Sequence, residues 1–274
     1  MLSKLLPPAL LAASAIRCHA QSAHTPESKA DNTPVTQADL AAHAAARDYL
    51  LAHDPETPLI SEESDLPNDQ ERANLKRFWL LDPLDGTTEF VRGNPEYGVS
   101  LALIETRKVQ AGVILAPALG EIAWGIVGIG AFYATLDPVE LDDLDAASAN
   151  ILAHKLSQEA SPVQMNHRQP PFVGSKAFPL RVLCSRSHTD TDTDLLIDSL
   201  AGVTRITVGA CIKFIRLAQG LADYYPRLRK LHEWDIAGGH GIIKAAGANL
   251  YLFGTQEELE YGCPDFVSAC FEAY

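Results

Sequence analysis

Cysteine is sparse and unpatterned. The five residues (Cys18, Cys184, Cys211, Cys263 and Cys270) are odd in number and show no C-x-x-C spacing, which excludes a disulfide framework and a zinc ribbon. They read as the reduced thiols of a cytoplasmic protein, free or peripheral on the inner membrane. Positive charge is short as well: 22 Lys and Arg against 35 Asp and Glu give a net charge of −13. A protein that coats a nucleic-acid polymer needs the opposite sign. If the substrate is a small anion, something must reverse the sign locally, and bound metal cations do so. No apolar run is long enough to span a bilayer as a helix. The nearest candidate is Leu5 to Ile16, behind Lys4 and ahead of Cys18-His19-Ala20-Gln21. It reads either as a signal peptide over residues 1–20 or as an amphipathic helix over residues 8–22 opened by Pro7-Pro8. Internal repeats and long low-complexity tracts are absent too.

What is present is an ordinary core-forming composition, 47% apolar in 274 residues, enough for one large domain or two packed lobes. Thr36-Gln37-Ala38-Asp39 predicts a capping box and a helix through His53. Short strands follow at residues 58–61 and 78–81, then three hairpin-like strands at 97–105, 109–116 and 121–127. Residues 1–136 thus read as an α+β lobe with an antiparallel sheet. Residues 137–178 lose periodicity and read as an irregular connection or insertion. In residues 179–274, strands (181–185, 203–208, 222–226, 250–253) alternate with helices (191–201, 212–220, 236–246), which predicts an α/β lobe.

Acidic residues stand where these elements end: Glu62-Glu63 after Ile60, Asp82 after a strand, Asp85 after a turn, Asp235 at a helix start. Taken singly, each has a plain explanation. Asp235 would cap its helix, Asp39 would complete the capping box, Glu62-Glu63 would be a solvated pair, and Asp82 and Asp85 would form turns. Together they are harder to dismiss, since a unit-charge pair about 4 Å apart costs roughly 4 kcal/mol at an effective dielectric of 20. Cations between the oxygens relieve that cost, and oxygen ligands without a matching His or Cys set point to Mg²⁺ rather than zinc.

Asp82-Pro83-Leu84-Asp85-Gly86-Thr87, with Glu62-Glu63 upstream and Trp234-Asp235-Ile236-Ala237-Gly238-Gly239 downstream, resembles the lithium-sensitive, Mg²⁺-dependent inositol monophosphatase superfamily. Three further stretches are similar to its bacterial bisphosphate-nucleotidase branch: residues 28–36, Ser185-Arg186-Ser187-His188-Thr189, and Leu221-Ala222-Asp223-Tyr224-Tyr225-Pro226-Arg227. The resemblance implies the layered αβαβα sugar-phosphatase fold, with the N-terminal lobe carrying most metal ligands. It also implies that Glu62, Asp82, the Leu84 carbonyl and Thr87 surround one Mg²⁺, that Asp82, Asp85 and Asp235 hold a second, and that a third ion sits near Glu62. Thr87, with Asp39 behind it, and Glu62 are then the catalytic residues that orient a metal-bound water. Asp85, Gly86, Thr87 and Asp235 border the reacting phosphate. Ser185, Arg186 and His188 lie near the sugar and base, while Lys213 and Arg227, away from the metal motifs, meet a second phosphate.

The implied activity is removal of the 3′-phosphate of adenosine 3′,5′-bisphosphate, a by-product of sulfate assimilation. An inositol or sugar monophosphate is the alternative substrate, and a metal- or nucleotide-binding protein without turnover the third reading. Three departures bear on the substrate and leave the metal residues untouched. Ala210-Cys211 stands where relatives carry two serines, Arg229-Lys230 replaces a Gly-Pro turn, and Thr88 replaces a lysine.

Overall fold

The computed structural model describes residues 1–20, 27–28, 34–165, 174–175, 178–188 and 190–274. Residues 29–33 and Thr189 of the nucleotidase-like stretches lie outside the described residues, as do residues 21–22 of the expected first helix.

The first half begins with α1 (Leu2–Ala20), the short ribbon β1 (Glu27–Ser28) and β2 (Pro34–Val35), and α2 (Gln37–His53). Then come β3 (Leu59–Ser61), α3 (Asp69–Asn74), β4 (Arg77–Asp85) and α4 (Thr87–Val91). Strands β5 (Gly98–Glu105), β6 (Lys108–Ala116), β7 (Glu121–Ile126) and β8 (Gly130–Thr135) lead to α5 (Ala146–Glu159) and β9 (Ser161–Val163). The second half holds β10 (Leu180–Ser185), α6 (Thr191–Ser199), β11 (Val203–Val208) and α7 (Ile212–Ala218). It ends with β12 (Tyr225–Arg227), α8 (Trp234–Ala245), β13 (Leu250–Leu252) and β14 (Phe271–Ala273).

Strands β3 to β9 form one sheet in sequence order, with β3 parallel to β4 and every other pair antiparallel. Both faces are buried. Trp79, Leu81, Leu101 and Leu103 pack toward α1 and α2, whereas Phe78, Leu80, Ala102 and Ile104 pack toward α7 and α8. Two covered faces explain why these strands read as unbroken apolar runs instead of alternating. Beyond α7 and α8, β10 pairs in parallel with β11, a Val182–Tyr224 bridge leads to β12, and the order continues β12-β14-β13. Ile197 of α6 packs on the far side with Leu180 and Val182. The layers are therefore α, β, α, β, α, as the family resemblance implied.

Two segments depart from the sequence reading. Helix α1 starts at Leu2, so Pro7 and Pro8 lie inside it. Pro7 has no N–H to give the Ser3 carbonyl, and that carbonyl takes the Tyr49 hydroxyl of α2 at 3.0 Å instead. The helix buries Leu5, Leu6, Leu10 and Ile16 against α2 and α5. Residues 137–178, expected to be irregular, contain α5, capped by Asp145 through the Ser148 N–H at 2.8 Å, and the edge strand β9. Helix α5 lays Ala149, Leu152, Ala153 and Leu156 on the first layer. Among the described residues no helix is long and apolar enough to cross a membrane.

Helix α8 lies directly on the sheet because glycine faces glycine. A Cβ on Gly112 would stand 2.2 Å from the Gly238 carbonyl oxygen, and one on Gly125 2.6 Å from that of Gly241. Ser100 Oγ donates to the Trp234 carbonyl at 2.9 Å and fixes the helix start. This seating carries Asp235 to the end of β4. Because the blocking atoms are backbone, Gly112→Ala should lower unfolding stability by about 3 kcal/mol, the upper part of the overpacking range. A urea midpoint unchanged from that of the parent would contradict the close-contact geometry.

Candidate active site

Strand β4 breaks its pairing with β5 between Asp82 and Asp85, on either side of Pro83-Leu84. The Leu84 N–H turns back to Asp82 Oδ1 at 3.0 Å. Gly86 then adopts φ +93°, a left-handed conformation suited to glycine. A Cβ there would sit 3.0 Å from Ala210 Cβ and 3.2 Å from the Glu96 carbonyl oxygen. α4 starts at Thr87, whose Oγ1 lies 3.0 Å from Asp39 Oδ1 and 3.1 Å from the Leu84 carbonyl. The other Asp39 oxygen accepts the Thr36 N–H at 2.7 Å and the Thr36 hydroxyl at 2.6 Å. One carboxylate thus closes the capping box and backs Thr87.

The parallel β3–β4 pair extends by one bond beyond the strand, Glu62 N–H to the Leu81 carbonyl at 3.2 Å, which sets Glu62 beside Asp82. Asp235 lies in the first turn of α8, its Oδ2 accepting the His232 N–H at 3.0 Å. Glu62, Asp82, Asp85 and Asp235 share the wall of one cavity of about 500 Å³ with Leu84, Gly86 and Thr87. Burial, then repulsion from Glu62, Asp85 and Asp235, pushes the Asp82 carboxyl well above its ordinary range. Burial, then Asp85 and Glu62, does the same to Asp235. Burial raises Asp85 to about 6 although Lys213 and Cys211 pull it down. No three of these side chains are drawn into a ready-made cage among the described residues. Their all-oxygen character and mutual repulsion nevertheless suit hard divalent cations.

The opposite wall comes from the second half of the chain. Ser185 ends β10, Arg186, Ser187 and His188 follow it, and Lys213, Arg227, Arg229 and Lys230 face the same cavity. Of the expected site residues, Asp39 alone does not line the cavity; it stands behind Thr87 on the carboxylate side. Three details differ from the sequence reading. Lys213 is not remote from the acidic end: its charge acts on Asp85. Its buried ammonium donates to the Ala210 carbonyl at 2.6 Å, and burial lowers its pKa. Arg186 is gripped by Glu96, with Nε to Oε2 at 2.5 Å and Nη2 to Oε1 at 2.9 Å. Arg227 is buried, paired with Asp190 at 3.0 Å and donating to the His188 carbonyl at 2.7 Å. Sequence reasoning missed Glu89 and Glu96. Glu89 is buried on α4 inside the motif's own tail, where it accepts the Ser187 hydroxyl. Its place four residues after Asp85 was the available signal.

The chain belongs to the inositol monophosphatase family, whose model matches residues 8–265. It is 34% identical over 224 residues to the 3′(2′),5′-bisphosphate nucleotidase CysQ of Escherichia coli strain K12, covering 82% of this chain and 78% of that protein. The crystal structure of CysQ from Bacteroides thetaiotaomicron aligns with a TM-score of 0.80 at 30% identity, over 99% of this chain and 96% of that one. An IMPase/NADP phosphatase complexed with Mg²⁺ and phosphate shares the fold, with a TM-score of 0.66 at 18% identity over 95% and 85% of the two chains.

The Asp85 carboxyl titrates near 6 in the fold and near its ordinary 3.8 when unfolded. The folded chain therefore binds more protons between those values, and the charge costs stability as pH rises from 4, fully above 6. In EDTA at pH 8, Asp85→Asn should be more stable than the parent by about 3 kcal/mol. That advantage should shrink as pH falls through 6 toward 4. Urea melts showing the variant less stable at pH 8 would refute a net cost of burying the Asp85 charge.

Proposed function

We propose that the protein is a Mg²⁺-dependent phosphomonoesterase that removes the 3′-phosphate of adenosine 3′,5′-bisphosphate, giving AMP and inorganic phosphate. The observation that carries this reading is the two-signed cavity. Carboxylates crowd one wall, and cations (Lys213, Arg227, Arg229, Lys230) line the other. Such a cavity suits a substrate whose two phosphates need different treatment. The similarity to the CysQ nucleotidases supports the same reading.

Glu62, Asp82, Asp85, Asp235 and the Leu84 carbonyl would hold Mg²⁺. When bound, that ion supplies charge neutralisation for the phosphoryl oxygens and lowers the pKa of water. Thr87 directs its proton at Asp39 Oδ1 and offers an oxygen lone pair to the attacking water. Burial raises the Asp39 pKa, which makes that carboxylate a better proton acceptor behind the threonine. As the water attacks, its proton passes by way of Thr87 to Asp39, the new P–O bond forms and the bond from phosphorus to the ribose 3′-oxygen breaks. That oxygen takes up a proton from solvent water, and Asp39 returns its own to solvent. Lys213 stands between the two walls, near Asp85 on one side and over the Tyr225 ring at 5.7 Å on the other. Arg227 keeps its buried Nε–H unpaired among the described residues, a donor that a phosphate oxygen would satisfy.

Phosphate release from adenosine 3′,5′-bisphosphate and from inositol 1-phosphate should be compared side by side. The bisphosphate should win in kcat/KM by about 10- to 100-fold, the worth of one charge-assisted contact. Arg229→Ala should remove most of that preference by raising KM for the bisphosphate. Lys213→Ala should impair both substrates, because its charge also reaches Asp85. Preference for inositol 1-phosphate would transfer the assignment to that alternative.

The metal arm of the reading has its own check. Ca²⁺ takes longer bonds and looser coordination than Mg²⁺, so it should bind without supporting turnover. Li⁺ should inhibit the Mg²⁺ enzyme, as the family resemblance implies. Full activity in Ca²⁺ would rule out the tight oxygen site.

A further inference from the structure

The cationic wall belongs to the second lobe, yet two acids of the first lobe hold it. Glu96, in the loop between α4 and β5, receives Arg186 with both oxygens. Its Oε2 also accepts the Gly209 N–H at 2.7 Å. Arg186 Nη2 continues to the Thr207 carbonyl at 3.1 Å, so the arginine stitches the end of β11 to the segment after β10. Beside it, the buried Glu89 takes the Ser187 hydroxyl. Consecutive residues of one segment are therefore clamped by two carboxylates from the other lobe.

The Gly209 turn needs such a hold. Ala210 has φ +48°, a left-handed conformation that residues with a Cβ adopt only under constraint. The Glu96 bond fixes this turn from one side and the Lys213 ammonium, on the Ala210 carbonyl, from the other. The orientation of Lys213 and that of the 185–188 segment consequently depend on the same glutamate. His188 stands next in that segment, with the Arg229 charge close enough to depress its pKa after burial does so.

We propose that Glu89 and Glu96 are positioning residues. They clamp the Arg186–Ser187 segment and the Gly209 turn so that His188, Lys213 and Arg229 stand correctly spaced for a second phosphate. Arg186 acts through Glu96 and does not touch the substrate. The identity of the group that meets this wall rests on the nucleotidase reading; the clamp itself does not.

The test combines kinetics with hydrogen–deuterium exchange on Glu96→Gln, Arg186→Ala, their double variant, and Glu89→Gln. Amides of residues 185–188 should exchange at least about tenfold faster in Glu96→Gln and in Glu89→Gln than in the parent. KM for adenosine 3′,5′-bisphosphate should rise about tenfold, more than kcat falls. The double variant should be no worse than the worse single one, because both remove one interaction. Additive losses, or a loss in Arg186→Ala far beyond that in Glu96→Gln, would mean that Arg186 binds substrate directly. Unchanged exchange would overturn the clamp whatever the substrate is. If the parent hydrolyses inositol 1-phosphate and not the bisphosphate, the nucleotidase reading falls, and the exchange result still decides on the clamp.

Discussion

Like charges confined at the buried end of β4 are the constraint on which the remaining structure depends. Asp82 is 2% exposed, and Glu62, Asp85, Asp235 and Asp39 each raise its pKa. A single pair at about 4 Å costs roughly 4 kcal/mol at an effective dielectric of 20, against a total stability on the order of 5–15 kcal/mol for a folded domain. Such a cluster survives without cations only if neutral protonation states and the surrounding frame absorb the cost. The frame is stiff where that matters. Helix α8 cannot slide away with Asp235, because Gly112 and Gly125 seat its backbone on the sheet and Ser100 ties its first turn. Glu62 cannot retreat freely, because its own N–H continues the β3–β4 ladder.

Several of these residues hold two positions at once. Asp39 caps α2 through one oxygen and backs Thr87 through the other. Asp235 accepts the His232 N–H as a helix-start residue would, while facing the shared cavity. The plain explanation of each residue therefore holds without removing it from the site: the capping bonds leave Asp39 against Thr87 and Asp235 facing the cavity. Backbone N–H groups orient the Asp39, Asp82 and Asp235 carboxylates, and groups fixed in this way need little reorganisation to meet charge.

The carboxylate wall was legible in the sequence because its residues are local to element ends: Asp82 to Thr87 is one strand tip, and Asp235 one helix start. The central strands were legible because both faces are covered and the runs stay apolar. Helix α5 carried a readable signal, the spacing of Ala149, Leu152, Ala153 and Leu156 behind Asp145, but its alanines and acidic approach gave it little contrast. The start of α1 was hidden for a different reason. Pro7 and Pro8 normally mark a helix start, and here the orphaned Ser3 carbonyl is rescued by Tyr49 from another helix. No local pattern encodes that bond. The nearness of Lys213 to Asp85, and the partners of Arg186 and Ser187, are tertiary in the same sense.

The two halves of the chain share the electrostatic work: the first supplies Glu62, Asp82 and Asp85 to the cavity and the second Asp235, while Glu96 and Glu89 of the first half accept from Arg186 and Ser187 of the second. Of the cations on the opposite wall, Arg186 is engaged by Glu96 and Arg227 by Asp190. Arg229 and Lys230 also line the cavity and are exposed, with no carboxylate paired to either among the described residues. Although the chain carries a net charge of −13, Lys213, Arg227, Arg229 and Lys230 gather positive charge on one wall of this cavity, across from Glu62, Asp82, Asp85 and Asp235.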